Sequence, residues 1–207
     1  LSKYIRLNIT EGRSSIWLAQ RQGRTKNGYD LTEQGLLKML DMSGSSDFQK
    51  NFEELNIIPM SISYEYEPCD ILKAREVVIS RKRKYVKAEG EDLNSIIVGI
   101  KQTKGNVHLN IGAPLTSEEI SLAAQCDKND RYQLIRHAVD RRVVDGYRLW
   151  KNNYIAYDLL NHSYKYSHMY EPADVEAFVA YMQHQLDTVE PAINREDLRR
   201  IFLDIYA

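Results

Sequence analysis

The chain has 207 residues, of which 43% are hydrophobic and 28% charged, a balance that supports a buried core and excludes wholesale disorder. Its 28 Lys and Arg are matched by 29 Asp and Glu. The resulting net charge of -1 gives no bulk attraction to nucleic acid, and no nucleic-acid partner is expected.

Taken in chain order, the apolar pattern opens with Ser14-Ser15-Ile16-Trp17-Leu18-Ala19-Gln20, short and bounded by polar residues, which predicts a buried strand. A polar loop from Arg21 to Asp30 follows. Thr32, Gln34 and Gly35 then open a helix carrying Leu36, Leu37, Met39 and Leu40, and a second helix is expected from Phe48 to Leu55. Ile57 to Tyr64 reads as a second buried strand, with Pro59 tolerated near its start. Pro68 precedes a helix from Cys69 to about Ile79, a charged run Arg81-Lys82-Arg83-Lys84 comes next, and a further helix covers Asp92 to Lys101. Gly105 to Gly112 reads as a third strand.

From Thr116 the pattern turns helical throughout. Thr116 and Glu119 have capping-box spacing, and helices are expected over Asn129–Asp145, Tyr154–Leu160, Pro172–Thr188 and Asn194–Tyr206. Strands alternating with helices predict an α/β fold: a partial, mostly parallel sheet flanked by helices, with a C-terminal helical extension. The expected division is residues 1–113 for the α/β part and 114–207 for helices packed on it. Cys69 and Cys126 form neither a CxxC pair nor a disulfide framework, which favours a reducing compartment, and no apolar run approaches the ~20 residues of a bilayer span. The chain begins at Leu1 without an initiator Met, so a fragment lacking upstream sequence is expected. Its unprotected sheet edge would favour self-association.

The chemically distinctive segment is Gln20-Arg21-Gln22-Gly23-Arg24-Thr25-Lys26, three cations and a Gly directly after the first expected strand. Arg grips a phosphate with two hydrogen bonds, Lys offers a compact charge, and Gly lets backbone approach. From composition alone a solvated basic turn is the slightly better description. Gly23 and Gly28 have GxxxxG spacing, but Tyr29-Asp30 replaces the Lys-Ser/Thr pair of a P-loop. No metal-ligand cluster is evident, and the Arg81–Lys84 run reads as a solvated face that could also meet anionic lipid.

Ile16 to Lys26, followed by Ile57-Ile58-Pro59-Met60-Ser61-Ile62-Ser63-Tyr64-Glu65-Tyr66-Glu67-Pro68-Cys69-Asp70, resembles two ordered blocks of the glycerolphosphate and lysophosphatidate acyltransferases. The resemblance implies transfer of a fatty acyl group from acyl-CoA or acyl carrier protein to glycerol 3-phosphate or its monoacyl derivative, with no other cofactor. It implies a protein of the cytoplasm, or peripheral on the inner face of the membrane. It assigns phosphate binding to Arg21, Gln22, Gly23, Arg24 and Lys26, and the border of the acyl site to Pro59. Gln22 stands where the family has Glu, and a neutral amide holds no cation by charge. Glu11-Gly12-Arg13-Ser14 imitates the turn but precedes the strand, and is set aside.

The family's base is the His of Asn-His-x-x-x-x-Asp, which takes the proton of the attacking hydroxyl while the Asp orients it. This chain has His108, His137, His162, His168 and His184, and five positions after them stand Ala113, Arg142, Ser167, Ala173 and Val189. The resemblance therefore implies a catalytic pair supplied upstream of Leu1 and an inactive isolated chain. The alternative expectation is a non-catalytic module, or degenerate homologue, that binds phosphate or anionic lipid.

Overall fold

The computed structural model describes residues 1–21 and 31–207. Among these residues are ten α-helices and two strands, and 57% of them are helical. In chain order come α1 (Ser2–Thr10), α2 (Gln34–Asp41), α3 (Phe48–Glu53), β1 (Met60–Tyr64), α4 (Asp70–Lys82), α5 (Glu91–Lys101) and β2 (Val107–Ile111). They are followed by α6 (Ser117–Ala124), α7 (Asp130–Asp145), α8 (Lys151–Asn161), a 3-10 turn (Ser167–Met169), α9 (Pro172–Asp187) and α10 (Arg195–Tyr206). The chain divides into two compact units, one from residues 1–21, 31–62 and 109–147, the other from 63–108 and 148–207.

The expected parallel α/β sheet is not formed. Two strands pair, and they run antiparallel. Gly112 N–H donates to the Pro59 carbonyl and Glu65 N–H to that of Asn106, which sets Met60 opposite Ile111, Ile62 opposite Leu109 and Ser63 opposite His108. The ribbon is also inside out relative to the expected buried strands. Ser61 and Ser63 are buried, whereas Ile62 and Leu109 are 43% and 54% exposed. Small inward residues let the end of α7 approach: a Cβ on Gly146 would strike the Asn110 side chain and lie 3.0 Å from Ser61 Oγ.

Residues 14–20 are a second correction, because they form no strand. Ile16 and Leu18 pack partly buried against Ile5, Leu40 and Leu55, while Trp17 between them is 85% exposed. The period-two alternation is therefore real, but among the described residues the segment pairs with no strand, and its Gln20 carbonyl accepts Glu33 N–H at 2.8 Å. The helix α1 that supplies Ile5 was not expected from the pattern.

The first unit is built on two apolar clusters. Leu37 of α2, Phe48 and Phe52 of α3, Ile120 of α6 and Tyr132, Ile135 and Val139 of α7 form the larger. The spacing 132, 135, 139 puts one face of α7 inward. The capping box is present as read: Glu119 N–H donates to Thr116 Oγ1 at 3.2 Å and Thr116 N–H to Glu119 Oε2 at 3.0 Å. Glu119 also receives Arg142 at 2.7 Å, tying α6 to α7.

The second unit buries Phe178, Met182 and Leu186 of α9 against Leu198, Phe202 and Tyr206 of α10, with Ile155 of α8 and Val78 of α4 completing the cluster. Asn194 starts α10 by accepting Asp197 N–H at 2.8 Å, and Glu196 and Asp197 complement the positive helix end. Many of the tyrosines of the helical half make ring contacts, such as Tyr154–Tyr166 at 5.3 Å and Phe178–Tyr206 at 5.2 Å. They act as packing residues there.

Candidate functional site

Of the residues assigned to phosphate binding, Arg21 lies in a bend and is part-buried, while Gln22, Gly23, Arg24 and Lys26 fall outside the described residues. Pro59 is buried directly before β1, and its carbonyl accepts Gly112 N–H at 2.9 Å. Gly112 makes that approach feasible, since a Cβ there would sit 2.9 Å from the same oxygen.

Sequence reading missed a basic concavity in the first unit, about 410 Å³ and open to solvent. Its walls are Lys38, Asp41 and Met42 from the end of α2, and Lys128, Asn129, Arg131 and Tyr132 from the start of α7. Gln34 Nε2 donates to the Asn129 carbonyl at 3.1 Å and helps fix the two segments. Each Asp41 oxygen accepts one hydrogen bond: Oδ1 from Asn51 Nδ2 at 2.7 Å and Oδ2 from the Tyr132 hydroxyl at 2.5 Å. Burial, then the bond to Asp41, raises the Tyr132 pKa, so the phenol stays a neutral donor. The Arg131 guanidinium lies 4.5 Å from the Phe48 ring and 5.2 Å from that of Tyr132, with a nitrogen 3.9 Å from Asp41. Lys38 Nζ stands 5.6 Å from the centre of the Tyr132 ring.

Three cations, Lys38, Lys128 and Arg131, thus flank the hydrogen-bonded Asp41 carboxylate near the start of α7. This arrangement can hold an anion. The site escaped sequence reading because its two walls, at Lys38 and Lys128, are 90 residues apart.

The histidines give no rival active site. His162 ends α8 in a left-handed conformation (φ 50°) and is exposed, as are His137 and His184, while His108 faces inward on β2. The most perturbed acid is Asp70, at the start of α4 and 2% exposed. It accepts the hydroxyls of Tyr206 at 2.7 Å and Tyr181 at 2.8 Å and the Ile71 N–H at 2.6 Å. Burial outweighs these bonds and pushes its pKa up to about 6. Among the described residues no group of His, Cys, Asp or Glu could hold a metal ion, and no helix is long and apolar enough to cross a membrane. No protein-family model, curated protein or solved structure matches the chain.

Proposed function

We propose that the chain is part of an acyltransferase that moves a fatty acyl group from acyl-CoA or acyl carrier protein to glycerol 3-phosphate or its monoacyl derivative. The observation that carries this reading is the order of two motif blocks, Ile16 to Lys26 and then Ile57 to Asp70. On this reading Arg24 and Lys26, with Arg21, hold the acceptor's phosphate, Gly23 lets the backbone approach, and Pro59 borders the acyl site. The base that deprotonates the acceptor hydroxyl comes from sequence outside these 207 residues. The test is acyl transfer by the chain joined to the coding sequence that precedes it in its gene. Arg24→Ala is expected to raise KM for glycerol 3-phosphate by about tenfold or more, the loss of one charge-assisted grip, with a smaller change in kcat. An unchanged KM removes Arg24 from the role, and no transfer by the unsubstituted protein overturns the reading.

The concavity of Lys38, Lys128 and Arg131 favours a second reading, a module that binds phosphate without chemistry. Its test is titration with inorganic phosphate, followed through the backbone amide NMR signals of residues 128–132. Saturable shifts lost in Arg131→Gln are expected on this reading, and shifts identical in that variant would end it.

A further inference from the structure

The second unit contains a helix turned the wrong way for a protein in water. Along α5 the apolar residues Leu93, Ile96, Ile97 and Ile100 recur at the spacing of one helix face. That face should be buried, yet the four are 63%, 55%, 40% and 72% exposed. The residue turned inward is polar or small instead: Ser95 is buried and its carbonyl accepts the Cys69 thiol at 3.5 Å, and a Cβ on Gly99 would touch Cys69 Sγ at 3.5 Å.

The surroundings of this stripe are cationic. Residues 81–104 hold seven Lys or Arg against three Asp or Glu, an excess of four positive charges in a chain whose net charge is -1. Arg81, Arg83 and Lys84 at the end of α4 are exposed, and Val86, between them and α5, is 79% exposed. This approach is fastened to α5. The Tyr85 hydroxyl donates to Glu91 at 2.6 Å, Ala88 N–H donates to Glu91 at 2.9 Å, and Lys87 pairs with Asp92 at 2.5 Å. Two of the three acids are thereby occupied. At the other end Lys104 Nζ donates to the carbonyls of Ile100 at 3.2 Å and Gln102 at 3.0 Å.

We propose that α5 with the Arg81–Lys87 approach is a docking surface for a membrane leaflet rich in anionic lipid. The stripe would enter the boundary between headgroups and acyl chains, and the flanking cations would meet the headgroups. The charge selects this occupant. A second copy facing the same surface would set four excess positive charges against four, whereas an anionic leaflet complements them. A nucleic acid would leave the apolar stripe unused. The proposal concerns how the chain reaches a surface and stands apart from the acyl-transfer reading.

The experiment is co-sedimentation of the 207-residue chain with vesicles of phosphatidylcholine alone and of phosphatidylcholine with 30% phosphatidylglycerol. Strong partition to the mixed vesicles, weakened by salt, is expected. Ile96→Asn with Ile100→Asn, and separately Arg81→Gln with Arg83→Gln and Lys84→Gln, should each lower it about tenfold or more. All five side chains are exposed, so far-UV circular dichroism should match the unsubstituted chain. Absence of partition, equal partition to both vesicle types, or partition unaffected by either set of substitutions would overturn the proposal. So would a chain that forms dimers abolished by the two Ile substitutions while ignoring vesicles, because the stripe would then serve a second copy.

Discussion

Arg6 shows how a single side chain organises its neighbourhood. It is 9% exposed, and its guanidinium donates to the carbonyls of Leu40 at 3.0 Å and Asn51 at 3.1 Å, to Ser43 Oγ at 3.1 Å and to Glu54 at 3.0 Å. Arg6→Ala leaves two buried carbonyls without this donor and removes the ion pair to Glu54, so a loss of about 2–4 kcal/mol is expected in urea unfolding. Arg6→Lys should recover little, since one ammonium cannot span the fork. Asp70 yields a prediction in pH. Its folded pKa of about 6 lies above the ordinary value of 3.8, so the folded state takes up the proton first. The stabilisation this provides is complete below about pH 4 and is lost as pH rises through 6. The stability of the unsubstituted chain relative to Asp70→Asn should therefore be greater at pH 4 than at pH 7, by about 2 kcal/mol for a shift near two units. An equal difference at both pH values would show that Asp70 keeps its ordinary carboxyl pKa in the folded chain.

At the scale of elements, the inside-out ribbon is the feature most open to test. Ile62→Thr on its exposed face should change stability by less than about 0.5 kcal/mol, whereas Ile135→Ala in α7, at 0% exposure, should cost about 2–5 kcal/mol. A large cost at Ile62 would mean that the face is covered. What could be read in advance divides along the same line. The capping box at Thr116 and Glu119, the inward face of α7 and the start of α10 at Asn194 are written in four to eight consecutive residues, so local chemistry suffices to find them. Residues 14–20 and β1 carry strand-like patterns just as plainly. Whether a strand finds a partner, and which side it buries, depends on residues far along the chain: Ser61 meets Gly146, and Ile16 meets Leu40. The concavity is hidden for the same reason, because Arg131 and Lys38 become neighbours through the packing of α7 on α2. Asp70 looks like an ordinary first-turn acid until Tyr181 and Tyr206 close on it.

At the scale of the molecule, the chain passes from one unit to the other after residues 62, 108 and 147, so each unit is assembled from segments distant in sequence. The central functional claim rests on a few cations after residue 20 and their preference for a phosphate ester. Calorimetric titration of the 207-residue chain with glycerol 3-phosphate, with glycerol as the uncharged control, addresses that claim most directly. The expected result is saturable binding of the phosphate ester, none of glycerol, and a loss of about tenfold or more in Arg24→Ala, equivalent to about 1.4 kcal/mol. Equal affinity in Arg24→Ala, or no preference for the ester over glycerol, would contradict it.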